Sequence, residues 1–199
     1  MKQHEESGLL FSFPTTWYVF RFDKHRFFRM LTGEGLKGVD FIGLTDLGQL
    51  FLLEVKNYRN INQHDGINPS HQLVEAPDDH IQDYILKFED TERLISVAYT
   101  YYQRRWWFRH LAPWMMRMFP GWSRRRDWGF WKLAYEQLSG PRQHWLFLQL
   151  EEDVSEHSLS DLHEKTLRWH REHFNSGRSN LLIFDLSRHL PFHCHPVIE

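Results

Sequence analysis

The sequence predicts a mixed α/β domain built on a central mixed β-sheet flanked by helices. Apolar and β-branched runs of strand length recur at 16–22, 39–45, 49–57, 144–152 and 179–187. Between them lie segments with helical spacing, above all 78–111 and 158–174. No internal repeat and no linker divides the 199 residues, so a single domain with one core is expected over 1–199.

Taken in order, TWYVFRF at 16–22 is aromatic and β-branched and suits a strand. DKHRFFRML at 23–31 reads as a short helix with Asp23 as its N-cap. The glycine-rich TGEGLKG at 32–38 connects it to two further strands, 39–45 and 49–57. Residues 58–77 are polar with Asn, Gly and Pro, a long loop of the kind that serves as a flap. Pro77 with Asp78 and Asp79 is a helix start, and Ile81, Tyr84, Ile85, Phe88, Leu94 and Ile95 recur near helical spacing after it. Pro113 and Pro120-Gly121 interrupt the chain beyond this helix, so 101–138 reads as a helical insertion that is both basic and aromatic. Ser139-Gly140-Pro141 stops its last helix, 144–152 is a strand, 158–174 a helix with Ser160 as cap, and 179–187 the last strand.

Composition sets outer limits. A net charge of −2 excludes a nucleic-acid coat of the histone kind, while leaving room for a local basic groove. Aromatics are 16% of residues, with nine Trp, enough for a large core with rings left for stacking. The one cysteine, Cys194, permits neither an intrachain disulfide nor a thiolate zinc cluster. No run approaches the roughly 18 apolar residues of a membrane helix, and MKQHEESGLLFSFP fits no signal peptide. A soluble cytoplasmic protein is the expectation.

The informative stretch is GVDFIGLTDLGQLFLLEVKNY, 38–58, which places Asp40, Glu54 and Lys56 in a largely apolar hairpin. A turn at Thr45–Gln49 with Leu44 opposite Leu50 puts Asp40 opposite Glu54. Alternation then gathers Asp40, Ile42, Leu44, Leu50, Leu52, Glu54 and Lys56 on one face. Val39, Phe41, Phe51, Leu53 and Val55 take the other. Two carboxylates about 4 Å apart repel by roughly 4 kcal/mol at an effective dielectric near 20. A hard divalent cation offsets that cost, because Mg²⁺ takes one or two carboxylates plus waters and phosphate oxygens. The competing interpretation is a Glu–Lys pair and an edge Asp exposed at a strand end, which leaves their shared face unexplained.

GVD at 38–40 followed by EVK at 54–56 resembles the active-site signature of the PD-(D/E)XK nuclease superfamily, with Val39 where proline is frequent. The resemblance implies a restriction-endonuclease-like core and Mg²⁺-dependent (or Mn²⁺-dependent) hydrolysis of phosphodiester bonds in DNA, with RNA as the alternative. It implies that Asp40, Glu54 and the Val55 carbonyl hold metal and that Lys56 orients the attacking water or steadies transition-state charge. Auxiliary acids or polar groups common in that superfamily would fall to Asp23 or Glu34, and to Gln82 or Lys87. A non-enzymatic alternative keeps the same fold as an inert nucleic-acid- or partner-binding module, and a homo-oligomer is compatible with either.

Two basic stretches are candidate nucleic-acid contacts. KHRFFR offers Lys24, Arg26 and Arg29 close in sequence to Asp40, or else a solvated helix face. From Arg104 to Lys132 eight Arg or Lys accompany a single acid, Asp127, with rings interleaved. Arg104, Arg105, Arg124, Arg125 and Arg126 would contact phosphates. Three readings stay open for that segment: packed rings with solvated arginines, the commonest outcome for aromatic stripes; nucleic-acid contact; and, least favoured, a membrane-surface helix, since Pro113, Pro120 and Gly121 argue against one long interfacial helix, so peripheral membrane contact is not the expectation. HREH at 170–173 reads as a solvated pair, and HCH at 193–195 as an exposed tail. No P-loop, GxGxxG or GxSxG occurs.

Overall fold

The computed structural model describes residues 2–31, 35–59, 69–151, 154–174, 178–186 and 190–197. Its centre is a five-stranded mixed sheet of β3 (Tyr18–Arg21), β4 (Phe41–Leu44), β5 (Leu50–Asn57), β6 (Arg142–Gln149) and β7 (Ser179–Phe184), in that spatial order. β3, β4 and β5 pair antiparallel, while β6 and β7 run parallel to β5. The parallel pairings need crossovers, supplied by the long helix α3 (Pro77–Gln103) and by α8 (Glu156–His173).

The hairpin register is the expected one: Leu44 faces Leu50 and Phe41 faces Leu53. Its turn closes through the Thr45 N–H to the Gln49 carbonyl and the Gly48 N–H to the Thr45 carbonyl, with Gly48 at φ 76°. Alternation splits the core in two. Ile42, Leu44, Leu50, Leu52, Leu146 and Ile183 pack on the helices. Phe41, Phe51, Leu53, Val55, Trp145 and Phe147 pack on the opposite face, against Leu9, Phe11, Phe13 and Phe192. Val39 departs from the expected face and joins the helical core, because the chain leaves strand geometry at Asp40.

That opposite face is covered by a second sheet, β1 (Lys2–Glu6), β2 (Leu9–Phe13) and β8 (His193–Pro196), in the order β1-β2-β8 and wholly antiparallel. None of these strands was expected. β1 is polar, and the HCH segment read as tail becomes β8 once Phe11 faces Cys194, which is buried and free. Ser7 (φ 51°) and Gly8 (φ 72°) make the tight β1–β2 turn with two left-handed residues. The protein is therefore layered as helices, mixed sheet and small antiparallel sheet.

Other boundaries moved for local reasons. α1 runs Arg26–Leu31, and Asp23 pairs with Arg21 (3.2 Å) instead of capping it. Part of the expected loop 58–77 is helix α2 (Pro69–Glu75), and 60–68 lies outside the described residues. The cap of α8 is Ser155, whose hydroxyl accepts from the Ser158 N–H at 3.2 Å, in place of Ser160. The expected 78–111 helix breaks at Arg104–Arg105, where α4 (Trp106–His110) begins. α5 (Ala112–Met118) and α6 (Pro120–Arg124) each carry proline in the first turn, where it costs no hydrogen bond. α7 (Asp127–Leu138) returns the chain to the core through Trp128, Phe130, Trp131 and Ala134.

Gly129 lets α6 and α7 close on each other. A Cβ there would stand 2.0 Å from the Ser123 carbonyl oxygen, which is backbone and cannot turn aside. Gly129→Ala is expected to cost about 2 kcal/mol and to lower Tm by about 6 °C in thermal unfolding. An unchanged Tm would mean that the α6–α7 junction is not held this tightly.

Candidate active site

α3 places the acidic end of the hairpin. Its Asp83 pairs with Lys37 Nζ at 2.5 Å, its Asp90 accepts from the Lys37 N–H at 3.0 Å, and its Thr91 hydroxyl accepts from the Val39 N–H at 3.1 Å. From the other side the Phe22 N–H donates to the Asp40 carbonyl at 2.8 Å. Asp40 is thus held at the mouth of β4, and its Oδ2 accepts from the Val55 N–H at 2.7 Å. β5 faces Glu54 toward the helices, with its side chain 0% exposed.

The three charges do converge. Glu54 Oε1 lies 3.3 Å from Lys56 Nζ. Lys87, projecting from α3, donates to the same oxygen at 2.5 Å. Glu54 Oε2 is buried and meets no hydrogen-bond donor. Buried polar oxygens are almost always satisfied, so an orphaned carboxylate oxygen is an observation that asks for a partner. Lys56 Nζ also stands 5.9 Å over the Tyr84 ring, whose hydroxyl lies 3.2 Å from that of Tyr58.

The electrostatics arise from burial and crowding. Burial first, then the Glu54 carboxylate, push the Asp40 carboxyl up to about 8, against the pull of the Val55 N–H and Lys87. Burial also raises Glu54, opposed by Lys87 and Lys56. For Lys56 burial favours the neutral amine, but Glu54, Asp83 and Asp40 together outweigh it and the group lies above the ordinary lysine value. Lys56 is therefore a standing ammonium, suited to orienting an oxygen or stabilising negative charge and not to taking a proton.

Asp40 has a consequence for stability. The folded, metal-free chain keeps its proton up to about 8, whereas the unfolded chain releases it near 3.8, so the folded state binds more protons between these values. Stability is thereby lost as pH rises through that window. Asp40→Asn retains an oxygen for the Val55 N–H and cannot ionise. In denaturant titrations its stability is expected to fall less steeply with pH than that of the wild type. Parallel slopes would mean that Asp40 ionises at its ordinary value.

Of the auxiliary residues proposed from sequence, Lys87 is brought to Glu54. Asp23 is not: it is engaged by Arg21. Gln82 is exposed on α3, and Glu34 lies outside the described residues. One acid was missed. Glu6, at the end of β1, adds its negative field at Asp40 and is ion-paired to Arg21. The β1–β2 turn is tied to β5 by the Asn57 side-chain amide donating to the Ser7 carbonyl at 2.8 Å. No short-range pattern links Glu6 to Asp40, since the second sheet alone brings them together.

The donor set suits a hard cation. Two carboxylates with oxygens to spare match an ion that keeps waters and takes phosphate oxygens. Among the described residues no group of three or more His, Cys, Asp or Glu is placed to cage a metal. Val55 contributes its amide to Asp40.

Two further polar clusters tie elements together. Asp127 accepts from His25 (3.1 Å), Trp131 (2.7 Å), Tyr102 (2.8 Å) and Arg26 (2.6 Å), fastening α1 to α3 and α7. Burial alone would raise its carboxyl, but hydrogen bonds led by His25 and Tyr102 hold it at about 2. Arg26, one of the proposed phosphate contacts, is thus already paired to Asp127; it, Lys24 and Arg29 are all exposed. His170, read from sequence as solvated, is buried with its Nε2 2.8 Å from His144 Nδ1. His144 Nε2 in turn lies 3.0 Å from Glu92, which Arg142 also binds. This second cluster pins β6 and α8 to α3.

Arg104, Arg105, Arg124, Arg125 and Arg126 are all exposed, on or beside α4 and α6. The aromatic segment around them is only partly core: Phe108 and Trp128 are buried, but Trp106, Trp114, Phe119 and Trp122 are exposed. No helix among the described residues is long and apolar enough to cross a membrane. Compared with family models, with curated proteins and with solved structures, the chain matches none.

Proposed function

We propose that the chain is a metal-dependent phosphodiester hydrolase with a restriction-endonuclease-like core, acting on DNA, with RNA as the alternative substrate. The observation that carries this reading is the fully buried Glu54 carboxylate. One of its oxygens is unpartnered, and it sits beside Asp40 and within 3.3 Å of the Lys56 ammonium. The sheet supports it: an antiparallel β3-β4-β5 unit followed by a helix and a parallel strand puts the acid pair at one end of neighbouring strands.

In this reading Asp40 and Glu54 would hold Mg²⁺ or Mn²⁺. Such an ion would lower the pKa of a water and stabilise charge on the phosphate. Lys56, a permanent ammonium, orients the water's oxygen and offsets charge developing on the phosphoryl oxygens. Lys87 occupies Glu54 Oε1 and would have to yield that oxygen to a divalent ion; its side chain is 18% exposed, so solvent is within its reach. Asp40 would have to be ionised to join Glu54 as a ligand, so metal affinity is expected to rise with pH toward about 8.

The Lys87–Glu54 contact also favours a second reading. Two ammonium groups on one carboxylate can balance it without metal, as in an inert binding module of the same fold. Calorimetric titration with Mg²⁺ and Mn²⁺, beside cleavage assays on single- and double-stranded DNA and RNA, separates the two. Asp40→Ala, Glu54→Ala and Lys56→Ala should each abolish cleavage while the fold survives. Wild-type protein that takes up neither ion and cuts none of these substrates would establish the inert module.

A further inference from the structure

The surface formed by α4, α5 and α6 is not used by the hydrolase site. No Asp or Glu occurs from 93 through 126, whereas seven arginines lie between 104 and 126. In the same stretch Trp106 (64% exposed), Trp114 (56%), Met118 (55%) and Phe119 (53%) stand largely in solvent, with Leu111 and Trp122 also exposed. Large apolar side chains gathered on a surface mark a place where something docks. The helices hold together as a platform: the Ser123 hydroxyl donates to the Met115 carbonyl at 3.0 Å, Trp114 meets Phe119 edge-on at 6.2 Å, and Arg126 stacks over Trp122 at 4.4 Å.

Beside this platform a cleft of about 400 Å³ is lined by Thr100, Gln103, Arg104 and Arg109. Its lining carries two guanidinium groups and no acid, the chemistry of a phosphate seat. The occupant must therefore be anionic and must also accept apolar side chains. Rings alone would suit stacked bases, but Leu111 and Met118 have no π face to offer a base. Acyl chains accept both kinds of side chain, tryptophan prefers the headgroup level, and arginine pairs with lipid phosphate. The prolines that rule out one long interfacial helix instead produce three short ones, each presenting apolar side chains.

We propose that the α4–α6 arm docks on the headgroup layer of an anionic bilayer. Trp106, Trp114, Phe119 and Trp122 sit at the acyl boundary, and Arg104 and Arg109 hold a lipid phosphate in the cleft they line. This surface function stands or falls independently of the hydrolase reading.

The test is flotation of the full chain with vesicles of phosphatidylcholine alone and of phosphatidylcholine mixed with phosphatidylglycerol. Tryptophan emission is read in the same samples. Wild-type protein is expected to float with the anionic vesicles, with a blue shift, and to stay behind with the neutral ones. Arg104→Gln/Arg109→Gln should lower partitioning about 25-fold, at roughly fivefold for each basic residue near an anionic surface. Trp106→Ser/Trp114→Ser should lose most of the blue shift, with Trp122 as the remaining boundary tryptophan. These four side chains are exposed, so thermal unfolding of both variants should match the wild type and exclude misfolding as the cause. Failure to bind anionic vesicles, or binding indifferent to both variants, overturns the proposal. So does binding to a single-stranded oligonucleotide that both variants abolish while vesicles are ignored, which would assign the arm to nucleic acid.

Discussion

Glu54→Gln is expected to lose divalent-metal binding and to lower phosphodiester cleavage by about a thousandfold, the effect of removing several kcal/mol of transition-state stabilisation. Glutamine keeps the shape of the side chain and an oxygen for Lys87, so the buried packing around Leu52, Tyr84 and Phe88 should survive. What it removes is the charge. A hard cation binds anionic oxygens far better than an amide, and with Glu54 neutral only Asp40 would remain as anion. The two ammonium groups, no longer balanced, would repel any incoming metal. Both are partly exposed and can turn to solvent, so the loss should appear in metal uptake and turnover, with little change in folding. A Glu54→Gln protein that still binds Mn²⁺ as the wild type does, or that cleaves at the wild-type rate, would dismiss the metal site.

Lys87→Met carries the largest expected effect on stability. Glu54 is wholly buried, and its closest cation is Lys87 at 2.5 Å; Lys56 is farther, at 3.3 Å. Removing the nearer partner leaves the buried carboxylate balanced only by the more distant Lys56 and costs about 3 kcal/mol, which lowers Tm by about 9 °C. Methionine fills similar volume, so the loss reports charge and not packing. The sign of a metal effect is the diagnostic. If Glu54 and Asp40 bind a divalent ion, Mg²⁺ or Mn²⁺ supplies the missing positive charge without having to displace an ammonium. Metal should then raise the Tm of Lys87→Met more than that of the wild type. A Lys87→Met protein that is destabilised but blind to metal would favour the inert ionic cluster.

The legible part of the site was the part written in local spacing. Asp40 and Glu54 lie fourteen residues apart across a five-residue turn, and a period of two fixes which side chains share a face once the turn is placed. Lys87 was nameable only as one of several polar groups on the helix after the hairpin. Its selection over Gln82 depends on how α3 is rotated, which Tyr84, Ile85 and Phe88 decide by burying themselves. Glu6 had no signal at all, because β1 is too polar to read as a strand and is held by pairing with β2.

By itself the sequence determined the hairpin, its register, the long α3 and the identity of three charges, since all of these come from short-range periodicity and turn chemistry. Tertiary structure decided the rest. It folded the HCH tail into β8 and buried His170 against His144, because contacts across more than 20 residues of chain outweighed their local polarity. It also left Trp106 and Trp114 in solvent while Phe108 and Trp128 went inside, a choice that composition cannot make. Which rings are buried depends on where α4, α5 and α6 cross the core, and that is set by packing against α3 and α7 and not by any residue's own preference.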